Sequence, residues 1–396
     1  MDYQLSKRVN SIQPSPTLAV TQKANELRSA GKDVIGLGVG EPDFDTPDFV
    51  KQAAIAAIES GKTKYTAVDG IVELKQAVAD KFKRDNQLDY GLDEIIVSAG
   101  GKHSIFNLLS AWLNPGDEVV IPAPYWVSYP DMVKLVEAEP VIVHTHLEQR
   151  FKITPEQLRQ ALTEKTRLMF INSPSNPSGT AYSAEELRAL ADVLIDFPNV
   201  LIATDDMYEH ILWDRSQFAN IAMVAPELRE RTVILSGVSK AYAMTGWRIG
   251  YAAGPAPIIA AMKKIQSQST SNPASISQHA AAAALNGDQS CIDTMVSAFK
   301  KRHDYLVEAL NEIDGIECVE GDGTFYTFAR IQGLMDRAGV ANDVELCEKL
   351  LTEANVALVP GSAFGTEGYC RLSFATSLDT LKEAVSRIKA FVAQLN

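Results

Sequence analysis

Glu94-Ile95-Ile96-Val97-Ser98-Ala99-Gly100-Gly101-Lys102 carries a β-branched run into two glycines and a lysine, and the apolar-periodic segment His103 to Leu113 follows at once. That order reads as strand, turn, helix. Further short apolar runs recur at Glu118 to Ile121, Val141 to His144, Leu168 to Asn172, Val200 to Thr204 and Thr232 to Ser236, separated by turns and helical patterns. Such alternation predicts an α/β architecture, a mainly parallel sheet covered by helices on both faces. Polar or glycine-rich clusters sit where the strands end: Ser98 to Lys102, Ala123 to Trp126, Asn172 to Asn176, Asp205 to Tyr208 and Ser236 to Lys240. Ligands of an open parallel sheet bind beyond the carboxyl ends of its strands, so these clusters are expected to converge on one site.

Beyond residue 290 the pattern changes. A long amphipathic stretch, Ile292 to Ile313, precedes short strands near Gly323 to Ala329 and Tyr369 to Phe374, and a last helix starts at Ser377. This predicts a large domain over 46–290 and a smaller α+β domain from 291–396, joined by an N-terminal arm, 1–45. A chain of 396 residues is long enough for two packed lobes. The net charge of −13 disfavours nucleic acid and anionic membranes, while leaving room for a local basic pocket. Met1 to Gln13 is polar and no run reaches the roughly 18 apolar residues of a membrane span, which places the expected location in the cytoplasm. The four cysteines, Cys291, Cys318, Cys347 and Cys370, are widely spaced and read as reduced structural thiols. His144 and His146 alternate on one strand face without a third ligand, so no metal is expected.

Three features carry chemistry. Gly100-Gly101 is either a plain strand-to-helix turn or an anion site at a helix N-terminus; Lys102 in the first turn, where it opposes the helix dipole, favours the anion. Gly36-Leu37-Gly38-Val39-Gly40 only loosely resembles a dinucleotide fingerprint, because Glu41-Pro42 stands where a helix should begin. Lys240 follows an apolar strand in a stretch poor in charge until Arg248, a setting that lowers an amine's pKa and makes it a nucleophile. Alone, such a lysine is usually structural. Arg248 could hold a phosphate beside it, and Asp205 could pair with a protonated pyridine nitrogen, which draws electrons from a developing carbanion. Asp206 is the alternative for that role, and either could be a strand-end cap.

The segment Ser239-Lys240-Ala241-Tyr242-Ala243-Met244-Thr245-Gly246-Trp247-Arg248-Ile249-Gly250-Tyr251 resembles the lysine motif of the class I aminotransferases of fold type I, which depend on pyridoxal 5′-phosphate. Gly40 to Pro47, Lys64-Tyr65 with Gly70, Pro124 to Trp126, Asn172 to Gly179, Asp205 to Tyr208 and Arg371 to Ser373 resemble the bacterial aspartate aminotransferase branch in the same order. The resemblance implies a seven-stranded large-domain sheet and a ping-pong transfer of an α-amino group, from aspartate above all, to a 2-oxo acid such as 2-oxoglutarate. It implies that Lys240 carries the cofactor as a Schiff base and shuttles the substrate Cα proton. Asp205 would meet the pyridine nitrogen, Tyr208 and Asn176 the phenolic oxygen, and Trp126 would stack on the ring. Gly101, Lys102 and Arg248 would bind phosphate, with Tyr65 supplied by the partner of a homodimer. Arg371 would clamp the substrate α-carboxylate, a bidentate geometry that lysine cannot reproduce, with Gly40 beside it.

The substrate is read from two residues. Lys102 and Thr17 match a lysine and a threonine that receive the distal carboxylate of dicarboxylic substrates in the resembling branch, although Lys102 could serve phosphate alone. Members that also accept prephenate tend to carry lysine where this chain has Gln13, which points away from prephenate. Some relatives place a phosphate-binding serine where this chain has Gly237, and Ser236 or Ser239 could substitute. The alternatives within the same chemistry are transamination of aromatic or alanine-type substrates and β-elimination. A non-catalytic cofactor-binding regulator would need a DNA-binding extension and a less acidic chain.

Overall fold

The computed structural model describes residues 3–395. The central sheet has seven strands in the order Ile95–Ser98, Gly250–Ala253, Thr232–Gly237, Leu201–Asp205, Thr166–Asn172, Glu118–Ala123, Glu139–His144. All neighbours run parallel except Gly250–Ala253, which is antiparallel to both strands beside it. The buried strands are nearly continuous in apolar residues, because helices cover both faces. One face packs Leu108, Leu109, Tyr129 and Met262 against the strands, and the other packs Val50, Leu74, Ala281 and Leu285.

The opening strand-turn-helix unit forms as read, with the helix running Gly101–Trp112 and Gly100 at its N-cap with φ +91°. Local signals set other boundaries too. Ser183 and Glu186 form a capping box on helix Ala184–Ile195, and Ser377 caps helix Leu378–Val392.

The smaller lobe is an antiparallel sheet, Val359–Pro360, Tyr369–Ser373, Tyr326–Arg330 and Glu317–Cys318, packed under helices Ser290–Asn311 and Leu378–Val392. Ile35–Gly36 pairs with Val356–Ala357, which ties the N-terminal segment to this lobe. The strand expected from Gly323 starts instead at Tyr326. Thr324 has φ +66°, and a Cβ on Gly323 would lie 2.2 Å from the Ile211 carbonyl, so this stretch turns against the larger lobe rather than extending. Among the described residues no helix is long and apolar enough to cross a membrane. The four cysteines are free, and His144 and His146 are exposed.

Candidate active site

The strand-end clusters meet in a cavity of about 400 Å³, closed on one side by the 38–41 segment and by Tyr326 and Arg371 of the smaller lobe. Of the residues singled out from sequence, Thr17, Gly40, Gly101, Lys102, Trp126, Asn176, Asp205, Tyr208, Lys240, Arg248 and Arg371 line it. Tyr65 does not; it is 91% exposed. Gln13 is exposed and outside the lining.

Lys240 reaches in from the turn after strand Thr232–Gly237, and its amine donates to the Gly40 carbonyl at 2.5 Å. Protein crowds this amine, although the cavity leaves part of the side chain accessible. Burial, reinforced by the Arg371 guanidinium, pushes it down to about 8. A substantial fraction is therefore neutral, and nucleophilic, near physiological pH.

Asp205 ends its strand fully enclosed. Tyr129 donates its hydroxyl to Oδ2 at 2.5 Å, the Met207 N–H donates to Oδ1 at 3.2 Å, and Asn172 holds the Asp205 carbonyl at 2.9 Å. Burial raises this carboxyl above the usual carboxylate range, against the pull of the Tyr129 hydrogen bond. Asp206 faces the other way, toward Thr204 and Asn220, and does not line the cavity. The geometry thus separates the two aspartates that sequence left open.

At the N-terminus of helix Gly101–Trp112 two cations gather. A Cβ on Gly100 would lie 2.2 Å from Arg248 Nη2, and one on Gly250 would lie 2.2 Å from the Gly101 nitrogen. Only glycines let the helix end, the arginine and the returning strand approach this closely. Arg248 sits in the left-handed region at φ +55°, a strained backbone of the kind that functional sites retain. Lys102 lies 4.9 Å over the Trp126 ring, its amine lowered by burial and by Arg248. Helix N-terminus, lysine and arginine together fit a phosphate.

Arg371 is buried, with Nη2 donating to the Gly38 carbonyl at 2.7 Å and Nη1 to Asn176 Oδ1 at 2.9 Å. Its Nε is enclosed without a partner among the described residues, as suits a group awaiting a carboxylate. Asn176 is thereby engaged through its oxygen, which leaves its amide nitrogen as the donor. The residues fit pyridoxal phosphate: a phosphate cradle, an indole for the ring, and a buried carboxylate and an amine that have no counter-charge among the described residues.

Sequence reasoning missed two tyrosines. Tyr129 opens the helix Tyr129–Leu135 one turn after Trp126, whose ring it meets edge-on at 5.3 Å, so its place in the same strand-end cluster could have revealed it. Tyr326, whose hydroxyl is 3.1 Å from that of Tyr208, had no signal; only the fold brings the smaller lobe there.

The sequence profile of the family described as aminotransferase class I and II matches residues 32–388. The aspartate/prephenate aminotransferase of Nitrosomonas europaea is 58% identical, over 98% of this chain and 100% of its own length. The crystal structure of the aspartate aminotransferase from Rhizobium meliloti superposes with a TM-score of 0.96 at 48% identity, covering 100% of both chains. That of Thermus thermophilus aspartate aminotransferase with maleate gives 0.93 at 42% identity, covering 98% of this chain and 100% of the other.

Proposed function

The chain belongs to the class I and II aminotransferases, enzymes of pyridoxal 5′-phosphate, and from that premise we propose that it moves the α-amino group of aspartate to 2-oxoglutarate. The observation that carries this reading is one cavity holding a lysine amine with no carboxylate partner among the described residues, a buried arginine with an orphaned donor, and a second cationic patch at a helix N-terminus. In an acidic protein, such a pocket concentrates small dianions.

Pyridoxal phosphate, once bound, supplies an electron sink that makes the Cα–H bond of an amino acid breakable. Lys102, Arg248 and the Gly101 end of the helix would hold its phosphate; Asp205 would keep the ring nitrogen protonated; Trp126 would cover the ring. Tyr208 and the Asn176 amide donate on the ring's oxygen side. Arg371 fixes the substrate α-carboxylate, and Gly40 lies beside it. Lys240 Nζ, without a carboxylate partner among the described residues, would take the Cα proton. Lys102 and Thr17 receive the distal carboxylate. Amino and oxo acids use the same site in turn, giving ping-pong kinetics.

Prephenate is a second acceptor reading, supported by the similarity to the aspartate/prephenate aminotransferase of Nitrosomonas europaea. Gln13 argued against it, but its place outside the lining weakens that objection. Tyr65, exposed and outside the lining of its own cavity, together with exposed Ile55, Ile58 and Val72 in the adjoining sequence, supports a homodimer in which Tyr65 completes the partner's phosphate site. The large domain is assigned to 46–290 and the arm with the small domain to 1–45 and 291–396. We place the enzyme in the cytoplasm.

The test is a panel of amino donors against 2-oxoglutarate and of acceptors, prephenate included, against aspartate. Removing a charge-assisted contact in Lys102→Ala should raise KM for aspartate roughly tenfold or more, while KM for alanine changes less than about twofold. Equal effects on both would return Lys102 to phosphate alone.

A further inference from the structure

Tyr326 belongs to none of the groups assigned above, yet it touches most of them. It opens strand Tyr326–Arg330 of the smaller lobe, and its ring is fully buried. The Arg371 guanidinium lies 4.3 Å from the ring centroid, a cation–π contact in a desolvated place. Its hydroxyl meets that of Tyr208 at 3.1 Å, across the junction of the two lobes. A Cβ on Gly40 would come 2.8 Å from the same oxygen, so the segment whose carbonyl receives Lys240 is fitted against it as well.

The shared hydrogen bond has a direction. Two hydroxyls carry two protons, and the bond between them uses one. If Tyr208 donated to Tyr326, it would have no proton left for an acceptor in the cavity. Arg371 decides the matter, because its positive charge makes the nearer tyrosine the stronger acid and thus the donor. Tyr208 then accepts from Tyr326 and points its own proton into the cavity, and accepting strengthens it as a donor.

We propose that Tyr326 is a positioning residue: its hydroxyl turns the Tyr208 proton toward the cofactor oxygen, and its ring seats Arg371 for the substrate carboxylate. One side chain of the smaller lobe thereby sets the donor on the cofactor side and the clamp on the substrate side. This rests on the cofactor reading above, with Tyr208 beside the phenolic oxygen.

Two variants separate the halves. Tyr326→Phe keeps the ring and removes the hydroxyl. In the holoenzyme, the pH midpoint of the cofactor's visible absorbance should move up by roughly half to one unit, because Tyr208 becomes a weaker donor, while maleate binding stays within about twofold. Tyr326→Leu removes the seat, and maleate binding, followed by the absorbance change it causes, should weaken roughly fivefold or more. Circular dichroism melts establish that each variant is folded; Tyr326→Phe, which only deletes one oxygen, tests the hydroxyl if Tyr326→Leu does not fold. An unchanged midpoint in Tyr326→Phe overturns the tie to Tyr208, and unchanged maleate affinity in Tyr326→Leu overturns the seat for Arg371. A purified wild-type protein that takes up no cofactor and shows no visible band would overturn the cofactor reading itself, and this proposal with it.

Discussion

Lys81 and Lys240 of the larger lobe both point inward, and their surroundings give them opposite fates. Lys81 ends helix Val72–Lys81 fully buried, ion-paired with Glu209, donating to Asn86 Oδ1 at 2.8 Å and lying 4.7 Å over the Phe82 ring. Lys240 meets a carbonyl instead, because the cavity carboxylates are engaged elsewhere, Glu41 by Thr245 and Asp205 by Tyr129 and Met207. A buried ammonium held by a counter-charge ties elements together, whereas one without it gives up its proton more readily. The turn after strand Leu201–Asp205 serves both regions. Asp205 and Tyr208 look into the cavity, while Asp206 and Glu209 look toward Lys81 and Asn220. Asp85, Glu209 and His210 lie close enough together to hold a metal ion, but Lys81 and Arg84 already neutralise the two carboxylates.

The contrast breaks most visibly at the unpaired lysine. Lys240→Ala should fold normally and lose transamination by roughly a thousandfold or more. Borohydride reduction of the wild-type holoenzyme, followed by peptide mapping, should place a pyridoxyl group on Lys240 and none on Lys81. Label on Lys81, or near-normal turnover of the variant, would erase the distinction. The paired lysine should respond in stability rather than chemistry. Lys81→Met strands the Glu209 carboxylate in the core and should cost about 3–5 kcal/mol, read from urea unfolding, with kcat of the folded protein within about twofold. Adding Glu209→Gln should recover part of that loss; no recovery would mean that Lys81 acts through packing alone.

Which lysine was which could be read from sequence only in part. Lys240 stood out because an apolar strand and a turn preceded it and Arg248 followed, and the ordered motifs of a known family then supplied the role expected of it. Lys81 gave no signal, since its partner Glu209 is far along the chain and only folding joins them. The same limit hid Tyr326. The strand Gly250–Ala253 escaped for a different reason: Gly-Tyr-Ala-Ala has no β-branched residue, and its antiparallel place between two parallel-sheet strands breaks the strand-helix alternation. Asp205 and Asp206 are adjacent and alike in sequence, so their roles depended on the turn between strand and Tyr208. By contrast, Gly100 was legible because part of its requirement is local, a positive φ at the strand-to-helix turn; the room that it leaves for Arg248 emerged only with the fold.

The smallest of these effects tests the hidden side of that turn. Asp206 accepts from the Thr204 hydroxyl at 2.6 Å and the Asn220 amide at 2.7 Å, yet burial, with Glu209 adding like charge against the help of Lys81, pushes its carboxyl up to about 7. In the unfolded chain the same group titrates near 3.9. Between those values the folded protein binds the extra proton, so stability falls as pH rises from about 4 to 7 and is level above that. Asp206→Asn keeps the shape and removes the titration. Relative to wild type, the variant should therefore gain about 1 kcal/mol between pH 5 and pH 8 in urea unfolding, well below the limit set by the full shift, because buried sites relax. A difference between the two proteins that stays constant across that range would mean Asp206 is held ionised throughout, with Lys81 serving both carboxylates rather than Glu209 alone.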